Sequence, residues 1–319
     1  MSISRNRIFD KKGELMSDVT TLSRPREIPA MLHPVNRLLN DPEVIEISLN
    51  PDGNLFVERF GSKATIEREC GSGEAESLIR WCATRQDRII EKTSPIVSGV
   101  IPGFVHRIEA LLPPVVTAPV FSIRRHNESP IDLEMFDWGT DDPAETSRMT
   151  GMIRCVISGR KNMVICGATG SGKTSFANAC LNVMSEICSQ ERIIVIEDTP
   201  ELRPGLANTV SLRTSNTVDQ QRLLVSTLRL APDRIIVGEC RDGAAALTML
   251  RAWNTGHRGG MTTLHANGAG EVVSRLDMLC SEVATTSQKR LIRSTIDIVV
   301  FLERGAGRPV VREILEVKS

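Results

Sequence analysis

Residues 167–174 read Gly-Ala-Thr-Gly-Ser-Gly-Lys-Thr, a complete G-x-x-x-x-G-K-[ST] pattern, and the flanks of this octet restrict the fold more than any other stretch. An apolar run, Met163-Val164-Ile165-Cys166, leads in as a strand, and Ser175–Glu186 leads out with helical character. A strand, a glycine-rich loop and a helix in that order form a phosphate-binding loop. Gly167, Gly170 and Gly172 let the backbone turn tightly enough for its N–H groups to point at phosphate oxygens. Ala168, Thr169, Ser171 and Ser175 complete the expected nucleotide-contacting stretch, and the helix N-terminus adds partial positive charge there. In this reading Lys173 reaches the β- and γ-phosphates of ATP and the Thr174 hydroxyl binds Mg²⁺. A chance glycine-rich turn would not carry both flanks.

The chain has 319 residues, enough for two domains with cores of their own. Hydrophobic residues make up 41% and charged residues 24%, ordinary for a globular protein. The net charge is zero and aromatics are 3%, which speaks against an extended DNA-binding face or base-stacking platforms. No run approaches the roughly 20 apolar residues that span a bilayer. Residues 1–26 mix charges of both signs without an apolar segment, so a mobile arm is expected rather than a secretory signal, and Met16 is a candidate start. The eight Cys stand singly, with no C-x-x-C pair, and several sit inside apolar strands or helices, which reads as buried small hydrophobes in a reducing cytoplasm rather than disulfides.

Val44–Leu49 and Leu55–Phe60 alternate around Asn50-Pro51-Asp52-Gly53 and predict a hairpin. Glu74–Ile90 has helical periodicity, and strands are expected over Val105–Val116 and Phe121–Arg125. Residues 27–126 thus form an α+β domain. Residues 127–143, polar and proline-containing, read as a linker with one short helix over Ile131–Phe136. Residues 144–319 open with a helix over Ala144–Ser158. They then alternate helical runs with short apolar strands at Met163–Cys166, Ile193–Ile196, Ile235–Val237, Met261–Leu264 and Ile298–Phe301. That alternation predicts a βα-wound sheet whose ligands lie beyond the carboxyl ends of its strands.

Three further segments fall on those carboxyl ends. R-I-I-V-I-E-D-T-P-E-L (192–202) ends a buried strand in Glu197-Asp198, with Glu201 just beyond, and carboxylates there, next to a phosphate loop, can hold Mg²⁺ through waters or orient the attacking water. P-D-R-I-I-V-G-E-C-R (232–241) ends in Glu239, with Gly238 where an Asp is usual, and Glu239 is the best candidate to polarise the attacking water. Mg²⁺ would then rest on Thr174 and on water held by Asp198 or Glu239. T-G-H-R-G-G-M-T-T-L-H-A-N (255–267) places His265 at a strand end, where an imidazole can sense the γ-phosphate, while His257 has only loop closure to offer.

Taken in order, the four segments resemble the secretion-ATPase superfamily of type II and type IV secretion, conjugation and type IV pili, as its Walker A, Asp, Walker B and His boxes. Ala252–His257, Leu264–Asn267, Arg107–Val116 and Phe121–Arg125 are similar to the conjugal-transfer and type IV secretion branch, nearest to the TrbB-type ATPases. The resemblance implies an α/β protein: a RecA-like P-loop NTPase domain after a smaller N-terminal α+β domain. It also implies a homo-oligomer, a hexameric ring, that hydrolyses ATP and attaches through inner-membrane channel proteins at the cytoplasmic face. No direct nucleic-acid contact is expected. A type IV or Tad-like pilus-assembly ATPase would share every motif. The family's N-terminal arginines fall on Arg107, Arg124 and Arg125, which could instead pair with linker acids such as Glu128 or Glu134. A family arginine also falls on Arg241. The acidic residue that often follows it is absent, with Asp242 as its possible substitute.

Overall fold

The computed structural model describes residues 33–59, 61–86, 88–125, 132–215, 217–305 and 307–317. The expected arm, the Met16 start, Phe60 and the first part of the expected linker lie outside the described residues. Among the described residues no helix is long and apolar enough to cross a membrane.

The first half builds on α1 (His33–Asn40), β1 (Val44–Leu49), β2 (Asn54–Arg59), β3 (Thr65–Glu69), α2 (Ser72–Thr84), β4 (Ile96–Val100), β5 (Arg107–Leu111) and β6 (Val120–Arg124). The strands pair antiparallel in the order β3-β2-β1-β6-β5-β4. Alternation gives the sheet two unlike faces. Ile47, Leu49, Leu55, Val57, Ile108, Phe121 and Ile123 pack in one buried cluster with Leu38 and Leu39 of α1 and Leu78 and Ile79 of α2. The other face carries Glu46, Arg107, Glu109, Ser122 and Arg124 into a cleft.

The second half begins with α3 (Pro143–Ser158), started by Asp142, whose carboxylate accepts from the Ala144 N–H at 2.9 Å. Then follow β7 (Met163–Gly167), α4 (Lys173–Ile187), β8 (Ile193–Glu197), β9 (Thr209–Arg213), α5 (Gln220–Thr227), β10 (Arg234–Val237), α6 (Gly243–Asn254), β11 (Met261–Leu264), α7 (Val272–Cys280), α8 (Lys289–Thr295), β12 (Ile298–Glu303) and β13 (Val310–Glu316). The seven strands run β13-β12-β7-β11-β10-β8-β9, parallel except for β13. β7, β8, β10 and β11 are buried at every residue, because helices cover both faces of a parallel sheet. Met163, Ile165, Ile193 and Val195 join the core under α3 and α4, while Val164, Cys166, Ile194 and Ile196 join the core under α6 to α8.

The βα-wound sheet and its five apolar strands are where the sequence places them. Four strands, β3, β4, β9 and β13, and the helix α1 were not expected. The helix predicted over 74–90 stops at Thr84, where Gln86 turns its side chain to donate to the Val100 carbonyl at 3.2 Å. The strand predicted over 105–116 shortens to β5, ahead of Pro113-Pro114. In the segment read as a linker, a 3₁₀ turn spans Leu133–Met135, and Leu133, Phe136 and Trp138 are buried against the second core. Phe136 and Phe176 meet edge to face at 5.1 Å.

Candidate active site

Register brings the motifs together. Leu264 of β11 pairs with Cys166 of β7, and Val237 of β10 pairs with Thr262 and Ile196, so the ends of β7, β11, β10 and β8 lie along one edge. The phosphate loop leaves that edge from β7 into α4. Gly172 sits at φ 91°, and a Cβ there would come within 2.5 Å of the Pro309 ring, so both backbone and space demand glycine. Ser171 Oγ is buried without a hydrogen-bond partner, an orphaned hydroxyl that fits a ligand oxygen at the loop.

Lys173 Nζ folds back to donate to the Gly167 carbonyl at 3.0 Å and the Ala168 carbonyl at 2.7 Å. It also meets His265 Nδ1 at 3.4 Å. Burial holds its pKa below the usual lysine value, against the raising effect of Glu239. An ammonium only donates, so His265 Nδ1 is the acceptor and Nε2 carries the proton that faces Glu239 Oε1 at 3.0 Å. Arg241 Nη2 holds the other oxygen of Glu239 at 2.5 Å and reaches Asp198 with Nη1 at 3.6 Å. Burial pushes the Glu239 carboxyl up, yet Arg241, His265 and Lys173 together outweigh it and hold it below the carboxylate range. Lys173, His265, Glu239, Arg241 and Asp198 thus form one continuous polar row.

Gly238 has a physical reason. A Cβ there would lie 2.9 Å from Cγ of Glu197, whose side chain fills the place of the usual Asp. Glu197 Oε1 accepts from the backbone N–H groups of Glu201 and Leu202, both at 2.9 Å. Burial still raises its pKa to about 7. The carboxyl of Glu197 therefore shapes the turn after β8. Asp198 accepts from the Thr214 hydroxyl at 3.0 Å.

The N-terminal arginines part company. Arg107 Nη1 reaches Glu201 Oε1 at 3.1 Å, and Arg124 Nη2 lies 4.0 Å from where a Cβ on Gly170 would stand. Arg125 turns the other way and donates to the carbonyls of Leu39 and Pro42, both at 3.2 Å, away from the loop. Asp242 caps α6, accepting from Ala245 N–H at 2.8 Å. His257 Nδ1 contacts the Pro232 carbonyl at 3.2 Å and closes its loop. Burial pushes the Cys166 and Cys240 thiols up to about 12, so both stay protonated and inert.

Glu201 carries more than the sequence suggested: besides Arg107, its Oε2 accepts from the Thr174 hydroxyl at 3.1 Å. The only sequence signal was a third acid after Glu197-Asp198, beyond the turn at Pro200. A cleft of about 500 Å³ opens beside these groups, lined by Arg88, Arg107 and Arg124 on one side and Asp198, Arg213 and Thr214 on the other. Among the described residues no three His, Cys, Asp or Glu side chains converge on a metal position. One hydroxyl and nearby carboxylates are a donor set that suits Mg²⁺ shared with phosphates.

A parallel sheet with this loop, an acid–imidazole–guanidinium row beside it and arginines from a second sheet define a two-domain P-loop ATPase. The chain belongs to the type II/IV secretion system protein family, which matches residues 101–304, and is a secretion ATPase. The conjugal transfer protein TrbB of Rhizobium radiobacter is 44% identical over 282 residues, covering 88% of this chain and 86% of that protein. The type IV secretion system protein VirB11 of Bartonella henselae is 30% identical over 328 residues, covering 89% and 91%. In fold the chain resembles the crystal structure of the pilus retraction motor PilT with bound ADP, with TM-score 0.67, 18% identity, and coverage of 92% of this chain and 84% of that one.

Proposed function

We propose that the chain hydrolyses ATP in the cleft between its two halves to drive conjugal transfer through a type IV secretion channel. It works as a homo-hexameric ring at the cytoplasmic face of the inner membrane, attached through the channel's own proteins. The observation that carries the chemistry is the unbroken row from Lys173 through His265 and Glu239 to Arg241 at the mouth of the phosphate loop. The name and the 44% identity of the Rhizobium radiobacter relative support the conjugal role.

In this reading the loop N–H groups and Ser171 Oγ take phosphate oxygens, and Lys173 leaves the Gly167 and Ala168 carbonyls for the β- and γ-phosphates. Glu239, kept ionised by Arg241, polarises the attacking water, and His265 holds the carboxylate in place. Arg107 and Arg124 bring positive charge from the N-terminal sheet to the γ-phosphate as charge develops on it. Glu197 supports from behind by fixing the turn that carries Asp198 and Glu201. Thr174, with Asp198 or Glu239 through water, would hold Mg²⁺, which would supply positive charge against the phosphates.

Glu239→Gln removes the charge and keeps the shape. It should retain ATP binding and lose roughly 10²-fold or more in turnover, the range of a general base. Normal hydrolysis by that variant would withdraw Glu239 from the role.

A further inference from the structure

The polar row beside the phosphate loop ends at Asp198, and Asp198 is also a wall of the cleft of about 500 Å³. Strand order puts that cleft across the row from the loop. From β7, which carries the loop, the sheet runs through β11, β10 and β8 to β9. The C-terminal wall of the cleft is Asp198 and Thr199, after β8, and residues 213–215, at the end of β9; none of the described loop residues 167–174 lines it. Inside it the guanidinium groups of Arg88, Arg107, Arg124 and Arg213 meet three carboxylates, Glu46, Glu109 and Asp198. Two of those acids are engaged, Glu46 by the Ser122 hydroxyl at 2.7 Å and Asp198 by the Thr214 hydroxyl at 3.0 Å. Of the four arginines, Arg107 alone has an ion-pair partner among the described residues.

Arg88 is held in place. It follows α2, and its N–H donates to the Ala83 carbonyl at 3.0 Å, while Gln86 Nε2 donates to the Val100 carbonyl at 3.2 Å. A Cβ on Gly99 would overlap the Gln86 carboxamide, so the glycine leaves room for that side chain to lie across β4. On the opposite wall Arg213 Nε donates to the Asp198 carbonyl at 3.2 Å, which leaves its two Nη groups uncommitted. In-line displacement carries the γ-phosphate away from ADP toward the attacking water, here the side of Glu239 and of the cleft beyond it. Guanidinium forks suit the oxygens of the oxyanion that arrives there. We propose that the cleft is a binding site for inorganic phosphate, walled by Arg88 from the N-terminal half and Arg213 from the C-terminal half, and that it takes up this product from the Glu239 side of the row. This rests on the nucleotide-site reading above and adds to it the place of the second product.

The test is inhibition of steady-state ATP turnover by orthophosphate and, separately, by ADP, on the full chain with ionic strength held constant by chloride. Wild type, Arg88→Ala, Arg88→Lys and Arg213→Ala are compared, and melting curves report whether each is folded. Orthophosphate should inhibit the wild type beyond the effect of chloride. Each alanine variant should raise the inhibition constant for phosphate about fivefold, the scale of a half-exposed ion pair, and leave that for ADP unchanged. Arg88→Lys keeps the charge and loses the fork, and should fall between wild type and Arg88→Ala. A phosphate constant that neither alanine variant moves, or no inhibition beyond chloride, would overturn the proposal. An equal rise in the ADP constant would give the cleft to the nucleotide itself and overturn it too. These outcomes leave the nucleotide site standing, whereas a wild type without Lys173-dependent turnover would remove both readings.

Discussion

Single residues decide what the site can do, and Glu197 shows how an expected catalytic group acquires another task. The residue is 6% exposed, its side chain lies over Gly238, and burial pushes its carboxyl up to about 7 despite two backbone N–H donors. The sign follows from linkage. A carboxyl whose pKa is higher folded than unfolded contributes stability below the ordinary glutamate range, and that contribution is lost as pH rises through about 7. Glu197→Gln keeps an acceptor for the two N–H groups and never ionises. Its melting temperature relative to wild type should therefore be higher at about pH 8 than at about pH 5. The same offset at both values would show that Glu197 does not titrate across this range. The phosphate loop was legible at this scale because its chemistry is local and its spacing fixed. Glu201 was not, since its importance arises where the chain turns after Pro200 and meets β5 from the other half.

Elements were legible where burial is uniform. Central parallel strands are apolar along their length, so β7, β8, β10 and β11 stood out, whereas β3 is exposed at every residue and offers no alternation to read. The two-residue period also sorts a pair the sequence left together. Arg124 and Arg125 are neighbours on and after β6, yet one leans over Gly170 and the other anchors the end of α1. Arg124→Ala should slow ATP turnover with little change in melting temperature. Arg125→Ala should lower stability by about 1 kcal/mol, the worth of its two carbonyl contacts, and leave turnover per folded chain unchanged. Kinetics and melts of the two variants side by side check this, and a turnover defect in Arg125→Ala would place it in the site after all. The segment 132–138 carried its own clue in Leu133, Phe136 and Trp138, which polar neighbours hid; those three residues pack into the second core.

At the scale of the whole molecule, the two sheets meet at one polar cleft. The C-terminal half lines it with Asp198, Arg213 and Thr214, and Asp198 joins it to the Lys173–His265–Glu239–Arg241 row, while the N-terminal sheet contributes Arg107 and Arg124. Each half has a core of its own. The order of four motifs made the ATPase half readable. The polar face of the first sheet was not, because its residues come from strands far apart in sequence and face the cleft only once β1, β5 and β6 pair. The proposed ATP site works within a ring. Its most direct test is ATP turnover per chain as a function of protein concentration, with Lys173→Ala as the blank. A ring gives a Lys173-dependent rate that rises steeply as the chains assemble; a Lys173-dependent rate that stays flat from dilute to concentrated protein means that each chain works alone.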